Sequence, residues 1–398
     1  MAFPERFLDE LTERNDIVDV VSQYVRLTKK SGANLFGLCP FHSEKTPSFS
    51  VAPDKQIYHC FGCGKGGGVV SFVMEMENLP FLDALRLLAK RAGMEFPEGD
   101  LDESSRRKRN RLLNLNKEAA RFFHSQLHSP VGQPGLDYLQ RRGLSKGIMT
   151  RFGLGFAPDS WDSLIRAMAQ KGYEKRDLLD AGLAVSNQKG SIYDRFRNRV
   201  MFPIIDLRGD VIGFGGRVLG EGTPKYLNSP DTPVFNKSRN LFALNLAKNT
   251  KLGRIVLTEG YMDTISLYQA GFDCAVASLG TSLTADHAKL LSRFTKEVVI
   301  CYDADSAGVQ AANRAIPMLE KTGLKVKVLR VTGAKDPDEF LRSFGRDAFA
   351  RLLDQSENYV EYNLRQLQSG YDLTDPLQKA EFARAGAELL ASLDSPVE

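Results

Sequence analysis

The chain has 398 residues, 42% hydrophobic and 26% charged, an ordinary globular composition over more length than one core organises, so two or three domains are expected. A net charge of +4 is too mild for a uniformly basic surface, and any contact with a polyanion has to come from a local patch. Met1 leads at once into Pro4-Glu5-Arg6, and no run of about eighteen apolar residues follows, which excludes a membrane span and an export signal and makes the cytoplasm the expected location. Five cysteines are too few for a disulfide framework, and three of them crowd together near a histidine. Gly64 to Gly68 superficially invites a phosphate-loop reading, but the GxxxxGK[ST] pattern is missing.

Residues 1–97 read as one small domain. An N-terminal helix carries Ile17, Val18, Val21 and Val25 at helical spacing, a Gly- and Cys-rich middle follows, and an amphipathic helix runs from about residue 80 to 91 before Gly93. Cys39-Pro40-Phe41-His42 and Cys60-Phe61-Gly62-Cys63 are two ligand pairs, seventeen residues apart. Cys39, His42, Cys60 and Cys63 on two tight knuckles fit one structural Zn2+ in tetrahedral coordination. Gly62 and Gly64 permit backbone conformations that bring amides near the sulfurs. His59 adjoins Cys60 but lies outside the paired spacing, so it is left unliganded, facing solvent or a base. Between the pairs, residues 45–51 and 57–59 alternate as ribbon strands. Phe49 and Tyr58 suit either a small ribbon core or, with Lys45, Lys55 and Lys65, a clamp on single-stranded bases.

Pro97, Glu98, Gly99 and Asp100 break the pattern, and residues 98–110 are expected to link two domains. The Arg106-Arg107-Lys108-Arg109 cluster there reads as a solvated helix face or a mobile linker in preference to a phosphate contact. Residues 111–252 mix a helix at 112–127 with strands at 200–206 and 211–214, joined by an Arg208-Gly209-Asp210 hairpin turn. Between Arg195 and Arg239 there are eight Lys or Arg against four Asp or Glu. Arg195, Arg197 and Arg199 alternate, so on a strand they share a face and form a positive stripe toward phosphates, with a solvated strand face as the alternative.

From 253 to 335 strand and helix alternate strictly, with apolar runs at 255–258, 275–278, 298–302 and 326–331. That alternation predicts a mostly parallel α/β sheet, and residues 336–398 read as helices. In such a sheet the chemistry collects outside the carboxyl ends of the strands. Glu259 directly follows the first run, and Asp303 and Asp305 follow the third, with Ala304 between them and Gly308 opening the next helix. Three carboxylates so placed can hold hard divalent cations through oxygen ligands, although a loop aspartate that merely caps a helix is the bland alternative.

The strings CPFHSEKTPSFSV and YHCFGCGKGG resemble the zinc-binding domain of bacterial-type DNA primases, in which the ribbon helps choose the initiation sequence on the template. EGYMD with YDADSAG resembles the toprim domain shared by primases, topoisomerases and some nucleases. That resemblance assigns the catalytic metals, two or more Mg2+ or Mn2+, to Glu259, Asp303 and Asp305, with Asp263 an auxiliary acid. Lys335-Asp336-Pro337-Asp338 is similar to a further acidic motif of primases, which brings Asp336 and Asp338 toward the metals, or else makes them helix caps. Gly213-Phe214-Gly215-Gly216-Arg217 and Lys225 to Pro230 resemble motifs of the primase core that other toprim enzymes lack. Matched by motif, Arg217, Lys225 and Lys237, with Arg142 upstream, belong to a ridge that binds template or nucleotide phosphates.

The expected fold class is therefore multidomain α+β and α/β: an N-terminal zinc ribbon (1–97), a linker (98–110), a mixed α/β basic subdomain (111–252), a toprim α/β sheet (253–335) and C-terminal helices (336–398). The expected function is template-directed synthesis of short RNA primers on single-stranded DNA, with ribonucleoside triphosphates as substrates and a single-stranded DNA-binding protein as a possible further partner. A strand-cleaving toprim enzyme and a non-enzymatic zinc-ribbon DNA-binding protein are the alternatives. The first lacks the basic motifs, and the second leaves the strand-end carboxylates without a use. Such primases continue into a helical domain that docks on the replicative helicase. With Ser395-Pro396-Val397 near the last residue, that docking domain is expected to be absent.

Overall fold

The structure is a computed structural model that describes residues 5–391 apart from Ser43, Asn78, Pro80, 97–99, Ala304 and Ser369. The expected break at Pro97 to Gly99, the start of a helix at Pro80, the spacer Ala304 and the Ser395 to Val397 terminus lie outside the described residues. The chain divides into two compact units, the first holding the residues up to Arg106 and the second nearly all that follow. Among the described residues no helix is long and apolar enough to cross a membrane.

In the first unit five short strands, Lys29–Ser31, Asn34–Gly37, Phe49–Ala52, Ile57–Cys60 and Gly66–Gly67, pair antiparallel in sequence order. Helices Glu5–Arg14, Ile17–Val21, Val69–Glu77 and Phe81–Arg91 complete it. The N-terminal apolar spacing is thus split over a break at Asn15-Asp16, where the Asp16 carboxylate accepts from the amides of Val18 and Asp19 and starts the second helix. Phe49 and Tyr58 are buried and stacked 5.3 Å apart against Phe41 and Phe72. Of the two uses open for these rings, the structure shows the ribbon core. The alternation of the Ile57–Cys60 strand turns Ile57 and His59 outward instead, and Phe61, 70% exposed, meets the His59 ring edge-on at 4.9 Å.

The polar run expected to be a linker forms the first part of one 28-residue helix, Asp100–Leu127. Its Arg and Lys residues are good helix formers, and the exposure of residues 104–111 explains why no apolar stripe announced them. Further on, Lys108 and Arg111 pair with Asp180 and Asp177. An antiparallel sheet follows, in the order Tyr226–Asn228, Val211–Val218, Arg199–Ile205, Gly155–Ala157. The Arg208-Gly209-Asp210 turn is the expected hairpin: Gly209 takes φ +93°, and the Asp206 carboxylate accepts from the amides of Arg208 and Asp210.

The second sheet places the candidate chemistry. Its parallel strands run in the order Ala275–Ala277, Ile255–Thr258, Glu297–Ile300, Lys325–Val328, with Glu357–Asn358 added antiparallel at the edge. That edge strand, two residues long, is too short to show a period and was read as helix. Ile255, Leu257, Val298 and Ile300 face one helical layer, while Val256, Val299 and Cys301 face Phe272, Phe340 and Phe349 on the other. The chain lays its second strand outside the first and then crosses back to set the third on the first strand's other side. The order reverses there, and at such a reversal the loops leave in opposite directions, so a crevice is expected at the carboxyl ends of Ile255–Thr258 and Glu297–Ile300.

The two sheets are locked by an aromatic contact. Tyr261, the first residue of the helix Tyr261–Gln269, stacks on Phe202 (centroids 4.9 Å apart) and lies so close to Gly215 that any Cβ there would overlap the phenol ring. Tyr261 also donates to Asn228 Oδ1 at 2.8 Å, and Asn228 Nδ2 donates to the Leu279 carbonyl at 2.7 Å. Gly215→Ala is expected to destabilise the second unit by about 1–3 kcal/mol through overpacking. Denaturant unfolding checks this, and a stability equal to the parent's contradicts it.

Candidate active site and metal centre

Glu259 leaves the strand Ile255–Thr258 at the crevice, and its Oε1 accepts from the Asp303 amide at 3.1 Å, which ties the two strand-end loops together. Gly308 lets this happen: a Cβ at that position would overlap the Asp303 carbonyl and come within 2.9 Å of Glu259 Oε1. Asp305 Oδ1 accepts from the Gly308 amide at 2.8 Å and so caps the helix Ser306–Glu320. The cap uses one oxygen of an exposed carboxylate and leaves the other for a further ligand. Asp263 sits in the first turn of Tyr261–Gln269, 9% exposed. Asp336 caps Pro337–Asp354 through the Glu339 amide at 2.7 Å.

The electrostatics of these acids is unfavourable as they stand. Burial, then the charge of Glu259, Asp336 and Asp305, pushes Asp303 up to about 6. Burial, then Asp336, Asp303 and Asp338, pushes Asp263 up to about 8. Glu259 is raised as well, by burial and Asp305, against the opposing pull of the Asp303 amide. Carboxylates that resist ionisation because of one another are relieved by a cation among them. The donor set is all oxygen, as hard divalent cations require.

Two sequence-derived assignments are corrected by the packing. Asp338 is fully buried and does not face the crevice as a free acid: its carboxylate pairs with Arg142 and with Arg342 at 3.3 Å and accepts from the Ser266 hydroxyl. Arg142, expected on the phosphate ridge, is the counter-ion of that buried charge. The Arg195, Arg197 and Arg199 stripe does not form either. Asn198 takes a positive φ of 48° and the strand begins only at Arg199, so the three do not alternate on one face. Arg199 is buried with its guanidinium on the carbonyls of Gly216 and Pro224, and Arg195 donates to the Asn228 carbonyl.

Other basic residues are at least partly exposed. Arg217 lies between the rings of Tyr138 and Tyr226, at 5.0 and 5.3 Å, and donates to the Tyr226 hydroxyl. Lys225 is exposed and Lys237 is partly exposed. The Lys237 carbonyl accepts from Nε2 of the buried His287 at 2.9 Å, while His287 Nδ1 accepts from the Thr284 amide, so a histidine overlooked in the sequence holds the lysine's loop. Also overlooked was Trp161, 64% exposed, with the Arg197 guanidinium 4.1 Å above its ring and Tyr193 edge-on at 5.2 Å. A lone tryptophan in a loop carries no periodic signal that would have found it.

In the first unit the four predicted zinc ligands converge, with their donor atoms all within 4.8 Å of one another. Cys39 Sγ lies 3.9 Å from Cys63 Sγ, and Cys60 Sγ lies 3.7 Å from His42 Nδ1. A tetrahedron with Zn–S and Zn–N bonds of ordinary length has edges of roughly 3.8 Å and 3.6 Å, so this donor set fits the ion. Burial pushes the Cys39 thiol up to about 12, and it becomes a thiolate readily only beside a cation. The loop also holds Glu44, whose carboxylate lies 3.3 Å from His42 Nε2.

Comparison with known proteins matches four family models in succession. The CHC2 zinc finger covers residues 3–104, the N-terminal domain of the DNA primase catalytic core 122–248, a Toprim-like domain 256–341, and the DnaB-helicase binding domain of primase 360–398. The last match overturns the expected absence of a helicase-docking segment. Helices Tyr359–Gln368 and Pro376–Ala391 lie there, and helical periodicity alone had given no reason to set them apart from the preceding helix. A DNA primase of Clostridium acetobutylicum is 45% identical over 99% of this chain and 66% of its own length. The chain spans roughly three fifths to two thirds of the curated relatives it matches. The crystal structure of the Aquifex aeolicus primase zinc-binding and RNA polymerase domains aligns with a TM-score of 0.63 at 37% identity, over 98% of this chain and 93% of that one. A DnaG primase catalytic domain bound to ssDNA aligns at 0.62 and 40% identity, over 73% and 96%. With a zinc ribbon, a basic core and a toprim sheet in this order, and relatives this similar over this length, the chain belongs to the DNA primase family.

Proposed function

We propose that the chain is a DNA-dependent RNA-synthesising nucleotidyltransferase that makes short primers on single-stranded DNA from ribonucleoside triphosphates. The observation that carries this reading is the pair of strand-end loops at the reversal of strand order, where Glu259 is tied to the Asp303 amide, Asp305 follows on the same loop, and burial with neighbouring charge raises the pKa values of Glu259, Asp303 and Asp263. Two or more Mg2+ or Mn2+, when bound, would activate the primer's 3′-hydroxyl and offset the charge of the departing pyrophosphate. Glu259, Asp303 and Asp305 would be their ligands. Asp263 and Asp336 would act from behind, and Asp338 would anchor the loop through Arg142. Glu259 also fixes the Asp303 loop through its amide, so one side chain both shapes the site and charges it.

Arg217, Lys225 and Lys237 would meet phosphates, and the Trp161, Arg197 and Tyr193 cluster offers a face on which a base can stack. The likeness to a catalytic domain solved with ssDNA supports a single-stranded template. Cys39, His42, Cys60 and Cys63 would hold one structural Zn2+. Residues 1–97, 111–252, 253–335 and 336–398 are the divisions we assign to ribbon, basic subdomain, toprim sheet and trailing helices, with residues 360–398 meeting the replicative helicase. Replication chemistry of this kind places the protein in the cytoplasm.

Asn caps a helix as well as Asp does, so Asp305→Asn separates charge from capping, and Glu259→Gln likewise keeps size and removes charge. Each is expected to lower ribonucleotide incorporation at least a hundredfold, about 3 kcal/mol in the barrier, with a melting temperature no lower than the parent's. Near-parental synthesis by both variants would remove the catalytic assignment. For the template, Lys225→Ala should reduce the slope of log affinity against log salt by about 0.7, the value for one phosphate on a single strand. Arg199→Ala should leave that slope alone and lower fold stability instead, because its partners are buried carbonyls. Binding titrations at several salt concentrations decide, and a slope that falls for Arg199→Ala but not for Lys225→Ala contradicts the assignment.

A further inference from the structure

The geometry of the knuckle loop points to a role for a residue that is not itself a zinc ligand. We propose that Glu44 is the outer partner of the zinc site: it accepts the Nε2–H of His42, so that Nδ1 is the ring atom given to the metal, and it joins that ligand to the second knuckle through Ser48. This rests on the zinc reading of the four-ligand cluster.

Both oxygens of Glu44 are occupied, and each does a different job. Oε1 accepts from the amides of Cys39 at 2.6 Å and Ser48 at 3.1 Å, which fixes the backbone of the first knuckle and of the loop behind it. Oε2 takes the Ser48 hydroxyl at 2.5 Å and lies 3.3 Å from His42 Nε2. Three donors thus bind one carboxylate, and the His42 ring nitrogen lies within ion-pair distance of the oxygen that takes the Ser48 hydroxyl. The His42 ring is thereby oriented: Nε2 faces Glu44, while Nδ1 faces the sulfurs, 3.7 Å from Cys60 Sγ. The Ser48 hydroxyl also lies 3.3 Å from Cys60 Sγ, so the chain of contacts runs from one knuckle to the other.

Gly62 belongs to the same device. A Cβ at that position would stand 2.6 Å from His42 Nε2 and 2.9 Å from Ser48 Oγ, so the knuckle can close over the imidazole and the hydroxyl only with glycine there. A carboxylate that holds the remote nitrogen of a ligating imidazole selects its tautomer and raises its basicity, and losing such a partner typically weakens metal binding by about ten- to a hundredfold. Glutamine cannot substitute for it, because a carbonyl kept on the Cys39 and Ser48 amides turns the NH2 group toward the Nε2–H of His42, where no acceptor is left.

The test uses the full chain as purified. Nitrogen-15 labelling of its five histidines and ring-nitrogen spectra should show one imidazole with Nδ1 on the metal and Nε2 protonated. Transfer of zinc to a chromophoric chelator should be about ten- to a hundredfold faster in Glu44→Ala and Glu44→Gln than in the parent. A metal-bound Nε2 in the parent, or parental release rates in both variants, overturns the proposal while leaving the zinc site standing. A parent that carries no zinc overturns the zinc reading and the proposal with it. Should either variant fail to fold, the parent's ring spectrum alone decides.

Discussion

Carboxylates gathered at one edge of a parallel sheet repel one another, and most of the second unit is arranged around that fact. Strand order brings Glu259 and Asp303 to neighbouring loops, the Asp303 amide binds Glu259, and Gly308 allows the helix Ser306–Glu320 to begin in contact with both. None of these contacts neutralises charge. The consequence is visible in the pKa values of Asp303 and Asp263, both pushed well above the ordinary range by burial and by their neighbours. An arrangement that costs stability in the apo fold is what a site built to be completed by cations looks like.

The basic residues sort by the same criterion of burial. Arg142 and Arg199 are used internally, one against the buried Asp338 and the other against main-chain carbonyls. Lys225 is exposed, and Arg217 and Arg197 are partly exposed and lie against aromatic rings. Fewer cations are therefore free of internal partners than a count of Lys and Arg between Arg195 and Arg239 suggests, and two of them lie against the rings of Trp161, Tyr193 and Tyr138.

The zinc ligands and the strand-end acids were legible in the sequence for a physical reason. Ligands on tight turns need fixed spacing, and acids that follow apolar runs mark strand ends whatever the details of packing. The parallel sheet was legible through its alternation with helices. What was not legible depended on contacts far apart in the chain. Nothing near Arg142 indicates that Asp338 is its partner, and nothing in Arg195-Phe196-Arg197-Asn198-Arg199 shows that Asn198 turns before the strand begins. Phe49 and Tyr58 stayed open between core and surface because a ribbon this small has no second apolar stripe against which to judge them. The docking segment at 360–398 had helical periodicity and no chemistry of its own, so only relatives could mark it.

The central claim is that the acids of the crevice are completed by divalent cations. Cation binding must then displace the protons that burial and repulsion have placed there, and Asp263, pushed up to about 8, carries most of one near neutral pH. Calorimetric titration of the zinc-loaded chain with Mg2+, in two buffers of different ionisation enthalpy, measures that proton directly. The account predicts binding with release of roughly one proton per chain near pH 7, with the release abolished in Asp263→Asn. Mg2+ binding without proton release, or no binding at all, would contradict it.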